Sequence, residues 1–274
     1  MSATRVEVDG GRLAVDDEGA GEAVLFVAGG LIVDSFVPLC AQPDVARGRR
    51  LLRPHRRGYG RTALPGPVSI TRDAADCLAV LDGLGIDRAH LVGWSHGGAV
   101  ALQVAVDRPG AVASLTLLEP ALFVVPAAAE LAAALAPVAQ MWADGDRAGA
   151  LDAFHLPLWG PDWRARLEAA IPGGVAQLER DAATLFHSDV PALGAWAAAM
   201  PDVGSITAPV LEVTGGAGGV LMEQIRDQVR AWLPQTESVT IPGADHSFPV
   251  TRAADLAGPL AGFLDRHSIA RQPA

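Results

Sequence analysis

Ser95 lies in the pentapeptide Gly93-Trp94-Ser95-His96-Gly97, followed by Gly98. An apolar, strand-like run (Ala89 to Val92) precedes it, and a helix-like run (Ala99 to Val106) follows. A G-x-S-x-G segment between strand and helix makes a sharp turn that lifts the serine hydroxyl to the tip of a sheet. Side chains at Gly93 and Gly97 would collide with the neighbouring strand and helix. The chemistry that fits is nucleophilic attack by serine. A serine hydroxyl is a weak nucleophile at neutral pH, so it needs a base, a group to orient that base, and donors for an oxyanion.

The base is expected to be His246, in Pro242-Gly243-Ala244-Asp245-His246-Ser247-Phe248-Pro249. This segment follows the last strand-like run, so it falls at the carboxyl edge of a sheet with the elbow. The other histidines fit less well. His90 is inside a strand, His55 is in a loop and His267 is near the C-terminus, while His155 and His187 could line a pocket. The oxyanion hole should combine the backbone N–H of His96 with one from Ala28-Gly29-Gly30-Leu31, the loop after the strand Val24 to Val27. Gly30 is the first choice for that second donor and Leu31 the next, because glycine lets the backbone approach a ligand closely.

These groups need a scaffold. Arg5 to Val8 and Arg12 to Val15 alternate apolar and polar residues around Gly10-Gly11, which predicts an antiparallel hairpin. Asp16 to Gly21 reads as turn-rich. Apolar runs at 23–27, 50–53, 89–92, 113–118, 210–213 and 238–241 suit strands covered on both faces. Helical patterns at 71–84, 95–106, 220–232 and 252–266 alternate with them, which implies a mostly parallel sheet with helices on both faces. Residues 120–200 break the rhythm. They are Ala-rich and helical, with clear pieces at 131–141 and 164–170, and Pro191, Pro201 and Pro209 mark the return to the main domain.

Over nearly its whole length the chain resembles the α/β-hydrolase-fold serine hydrolases. The resemblance is carried by Gly29-Gly30, Arg56-Arg57-Gly58-Tyr59-Gly60-Arg61-Thr62, the elbow, Leu118-Glu119-Pro120 and Asp245-His246-Ser247-Phe248-Pro249. It implies an α/β-hydrolase fold with a mostly parallel eight-stranded sheet. The core would be residues 1–119 and 201–274, and 120–200 a helical cap. The chain departs from the family at Ala28, where many relatives carry His, and at His55, where Asp often precedes the Arg-Gly turn. A third departure concerns the acid. The family usually places it just after the penultimate core strand, but Val213-Thr214-Gly215-Gly216-Ala217-Gly218-Gly219 holds no carboxylate. Glu212 is within the strand, Glu223 is on the next helix, and Asp245 adjoins His246 and should point away. Some branches, including certain haloalkane dehalogenases and the zearalenone-type lactonases, carry the acid at the position of Glu119. Adjacent strands lie ~5 Å apart, so Glu119 is within reach and is the expected acid.

The resulting expectation is an ester or lactone hydrolase that works through an acyl-enzyme on Ser95. It needs no cofactor and no metal. Its substrate is a hydrophobic or aromatic small molecule, held by Leu31, Trp142, Phe154, Trp159, Trp163, Phe186, Trp196 and Phe248. Carbon–carbon hydrolases, lyases and haloperoxidase-like enzymes of the same fold remain open, as does a ligand receptor with little turnover. Ser95 speaks against the branches with an aspartate nucleophile. With 274 residues, the chain is one large domain or a domain with an insertion. A formal charge of -10 argues against nucleic acid as a partner. The basic run Arg47 to Arg61 reads as a solvated loop and turn, and Cys40 and Cys77 as structural thiols. No apolar run approaches the ~18 residues of a membrane span, and the N-terminus lacks a secretory apolar core, so a cytoplasmic protein is expected. Monomer and homodimer are both left open.

Overall fold

Continuous apolar runs form the strands at the centre of the molecule. The computed structural model describes residues 2–62, 64 and 68–269, so residues 1, 63, 65–67 and 270–274 of the expected core lie outside the described residues. The first half of the chain runs β1 (Ser2–Val8), β2 (Gly11–Gly19), β3 (Glu22–Val27), α1 (Val37–Cys40), α2 (Pro43–Ala46), β4 (Arg49–Pro54), α3 (Ile70–Gly83), β5 (Ala89–Trp94), α4 (His96–Asp107) and β6 (Val112–Leu118). An all-helical insertion follows: α5 (Pro126–Ala143), α6 (Arg147–Trp159), α7 (Trp163–Ala170), α8 (Gly174–Thr184), a π-helical turn (Leu185–Asp189) and α9 (Val190–Ala198). The chain then returns through β7 (Val210–Gly215), α10 (Gly219–Trp232), β8 (Thr236–Ile241), α11 (Phe248–Thr251) and α12 (Ala253–Arg266).

The eight strands form one sheet in the order β1-β2-β4-β3-β5-β6-β7-β8. β2 runs antiparallel to both its neighbours, and β3 to β8 are parallel. Strand side chains alternate between faces. Along β3, Leu25 and Val27 pack on one side with Ala74, Val100 and Ile225 of α3, α4 and α10. Val24 and Phe26 pack on the other with Leu260 and Phe263 of α12. Both faces are therefore covered, as the unbroken apolar strands required.

Three sequence expectations need correction. Asp16 to Gly19 are strand and not turn: β2 continues to Gly19 and pairs with β4, Asp16 opposite Arg53. The charges that read as a turn are matched across the sheet, Arg50 to Asp17 at 2.7 Å and Arg53 to Glu18 at 2.7 Å. For the same reason the run from Arg47 to Arg61 is not a solvated face. Arg49, Arg53, Arg56 and Arg57 are buried, each with a carboxylate partner. Finally, Pro191 does not mark the return to the core. It lies in α9, which runs on from the π-helical turn inside the insertion.

Both cysteines are free and buried, and burial pushes the Cys40 thiol up to about 11. Among the described residues no helix is long and apolar enough to cross a membrane.

Candidate active site

The register of the parallel strands brings the candidate residues to one edge. Trp94 lies opposite Leu118, and Leu118 opposite Val213. Ser95 and Glu119 are thus the first residues beyond two neighbouring strands, and their N–H groups still donate across, Ser95 to Leu118 O at 3.0 Å and Glu119 to Val213 O at 3.2 Å. A Cβ on Gly97 would stand 2.0 Å from Val27 O, which is why glycine is needed there for α4 to start against β3. Ser95 has φ 51°, Glu119 φ 41° and Leu31 φ 70°. These three are the non-glycine residues with positive φ among those described, and all sit at this edge. Strain of this kind persists only where the surroundings enforce it, and it gathers at functional sites.

His246 arrives on the loop after β8. The indole of Trp94 holds that loop by donating to His246 O at 3.2 Å. The ring Nδ1 of His246 is 2.6 Å from Glu119 Oε2, and both residues are buried. The other Glu119 oxygen accepts from the Gly215 N–H at 2.7 Å. A carboxylate cannot donate, so Nδ1 carries the proton of this bond and Nε2 is left as the free base position. Gly30, Ser95, His96, Glu119 and His246 all line one cavity of about 860 Å³, measured out to its opening.

The alternative acids are engaged elsewhere. Asp245 pairs with Arg166 of α7 at 2.6 Å and bonds its own Ser247, with its carboxyl held below the usual range by these contacts against the effect of burial. Glu223 is exposed on α10. Glu212 is buried within β7, accepts from Thr214 and leaves Oε2 without a partner. Burial pushes its carboxyl up to about 7 from an ordinary 4.5. The folded state then keeps a proton that the unfolded chain releases. The stabilising contribution is complete below the ordinary value and is lost as pH rises through about 7. The swing is on the order of 3 kcal/mol. Glu212→Gln is therefore expected to flatten the loss of stability between about pH 5 and pH 8, as read by urea denaturation at each pH. An unchanged slope would remove Glu212 as its source.

The oxyanion candidates separate cleanly. His96 opens α4, and no side chain caps that helix, so the His96 N–H is left for a ligand, while the Gly98 N–H donates to Ser95 O at 2.9 Å. The Leu31 N–H already donates to Tyr59 Oη at 3.3 Å, which removes the second-choice donor. Of the expected substrate contacts, Phe154 and Trp159 line the cavity. Six others do not, for identifiable reasons. Leu31 and Phe248 are core residues, 1 % and 0 % exposed. Trp142 stacks on Phe186 at 4.6 Å, Trp163 stacks on His155 at 4.0 Å, and Trp196 donates to Gln103 of α4 at 2.7 Å. These aromatics hold the insertion together and fix it to the core.

What lines the cavity instead is mainly aliphatic: Leu131, Leu135 and Leu158 above, Leu221, Met222 and Ile225 to one side. Scattered Leu and Met carry no sequence signal of a pocket, but Trp94 could have been found, since it adjoins the serine. His155 also faces the cavity. Its Nδ1 bonds Leu151 O at 2.7 Å, and burial lowers its pKa to about 4, so it is neutral at pH 7.

Residues 22–253 match the family model described as the alpha/beta hydrolase fold. A protein of Variovorax paradoxus (strain S110) bearing the name of a carbamate hydrolase, RutD, is 30% identical over 236 residues, 83% of this chain and 85% of that protein. The 2-hydroxymuconate semialdehyde hydrolase of Pseudomonas sp. (strain CF600) is 33% identical over 111 residues, 39% of each chain. The solved structure of the esterase EaEST from Exiguobacterium antarcticum has the same fold, with a TM-score of 0.77 at 19% identity, covering 96% of this chain and 100% of that one.

Proposed function

The chain belongs to the α/β-hydrolase family, and from that premise we propose that it is a serine hydrolase cleaving a carboxylic ester or lactone of a hydrophobic small molecule. The observation that carries this reading is the buried His246–Glu119 pair at 2.6 Å beside a serine on a strained elbow. In the proposed reaction Ser95 Oγ attacks the substrate carbonyl while His246 Nε2 takes its proton. Glu119 holds the imidazole by Nδ1 and stabilises its cation. The N–H groups of Gly30 and His96 receive the oxyanion, each worth about 3 kcal/mol in comparable sites. His246 then passes its proton to the leaving oxygen, and the acyl-enzyme forms. Water, deprotonated by the same ring, releases the acid. The insertion acts as a cap, and its aliphatic wall favours an apolar acyl group.

A fluorophosphonate probe, followed by intact-mass analysis, tests the nucleophile. One adduct, located on Ser95, is expected. A panel of aryl esters, lactones, carbamates and vinylogous diketones then reads the bond class, since similar proteins bear carbamate and carbon–carbon hydrolase names. The largest kcat/KM is expected for an apolar ester or lactone. A folded protein that takes no label and cleaves no ester or lactone would overturn the assignment.

A further inference from the structure

A trans peptide points its carbonyl and its N–H in opposite directions. The peptide joining Gly29 to Gly30 is trans, as are all those described. Its carbonyl accepts from Arg56 Nη2 at 3.3 Å. The Gly30 N–H therefore leaves on the side away from Arg56. One residue on, the bond from Leu31 N–H to Tyr59 Oη holds the next peptide, at the strained φ of Leu31. Arg56 and Tyr59 thus fix both peptide groups that flank Gly30.

One carboxylate of the insertion grips both of them. Asp189 accepts from Arg56 Nη2 at 2.8 Å and Nη1 at 3.2 Å, and from Tyr59 Oη at 2.7 Å. Asp73 of α3 shares Nη1 with Asp189, accepting from it at 2.7 Å, and lies 3.3 Å from His96 Nε2. The His96 Nδ1 is 3.8 Å from Asp189. All five side chains are buried. The carboxylate and imidazole atoms of Asp73, His96 and Asp189 lie within 4.8 Å of one another, close enough for a metal ion. Arg56 already bonds both carboxylates, so the cationic place is taken.

We propose that Arg56, Tyr59, Asp73 and Asp189 are positioning residues for the oxyanion hole, and that Asp189 makes its alignment depend on docking of the insertion. This rests on the hydrolase reading above, in which Gly30 and His96 are the donors. The network touches both of them: the peptide of Gly30 through Arg56, and the ring of His96 through Asp73. The packing agrees. A Cβ on Gly30 would stand 2.9 Å from Leu185 Cδ1 and 3.5 Å from Asp189 Oδ2, so the π-helical turn sits directly on this glycine. Such turns insert one residue into a helix and recur at functional sites. Here the turn carries both Leu185 and Asp189.

Tyr59→Phe and Asp189→Asn test the proposal, with kcat, KM, the pH profile of kcat/KM, and affinity for a trifluoromethyl ketone whose hemiketal adduct with serine bears the oxyanion. The expected result is kcat lower by about 10-fold for Tyr59→Phe and about 10²-fold for Asp189→Asn, at nearly constant KM. Ketone affinity should fall in parallel, and the acidic limb of the profile should stay where it is in wild type. If Asp189→Asn does not fold, Tyr59→Phe decides, because it removes a single hydroxyl and keeps the ring. Wild-type kcat with raised KM, or no change at all, would overturn positioning and leave the network as a fastener of the insertion. Wild-type protein labelled in parallel keeps the two claims apart. If Ser95 is labelled and esters turn over, only the positioning claim is at stake. If neither occurs, the hydrolase reading fails and this proposal with it.

Discussion

Ser95→Ala is expected to lower kcat by about 10⁵- to 10⁶-fold while leaving the fold intact. Alanine keeps a Cβ, so the strain at φ 51° is unchanged and only the attacking oxygen is removed. Binding should survive, since the aliphatic wall is untouched. A residual rate above that in water is also expected, because the oxyanion donors and the pocket remain. The measurement is single-turnover hydrolysis of the best ester from the panel, with thermal denaturation to check the fold. Turnover within about 10-fold of wild type would rule out the acyl-enzyme.

Glu119→Gln should cost about 10⁴-fold in kcat with little change in melting temperature. The reason lies in which atoms face the side chain. The Gly215 N–H is a fixed donor 2.7 Å from Oε1 and requires an oxygen there. An amide that satisfies it must turn its NH₂ toward His246 Nδ1. The imidazole then has to accept at Nδ1 and carry its proton on Nε2, the position that should receive the proton of Ser95. The substitution thus removes a charge and also selects the wrong tautomer. Asp245→Asn is the control, because Asp245 is occupied by Arg166 and Ser247. Its kcat should stay within a few-fold of wild type. The reverse pattern, with Asp245→Asn inactive and Glu119→Gln active, would move the acid to Asp245.

Most of the architecture was legible because parallel strands covered on both faces read as unbroken apolar runs, as β3, β5 and β6 do. The elbow was legible because its glycines answer a local steric demand. Glu119 is reached from an acid-free loop after β7 together with the branches of the fold that resemble this chain in carrying the acid there. The structure shows what that loop does instead, since its Gly215 N–H binds Glu119. Elsewhere the sequence misled where pairing is non-local. The acidic end of β2 and the arginines of β4 each look solvent-loving alone, and they are buried because they meet. Asp189 is the plainest case: its partners Arg56 and Tyr59 are about 130 residues away in the chain. The aromatic residues of 120–200 were expected around the substrate, yet only Phe154 and Trp159 reach the cavity, while Trp142, Trp163 and Phe186 close the insertion on itself, because a small helical layer needs its own core.

The insertion is fastened ionically on two flanks, by Asp189 to Arg56 and by Arg166 to Asp245. On the α5–α10 flank, the bond from Ala127 N–H to Gln224 is neutral, and the wall there is Leu131, Leu135, Leu221 and Met222. A doorway on that flank would be greasy. An uncharged ester would cross it readily, whereas the carboxylate left by hydrolysis would have to carry its charge past hydrocarbon to reach water. On the proposed ester-hydrolase reading, the apolar wall that recruits the substrate would also slow the departure of the charged product.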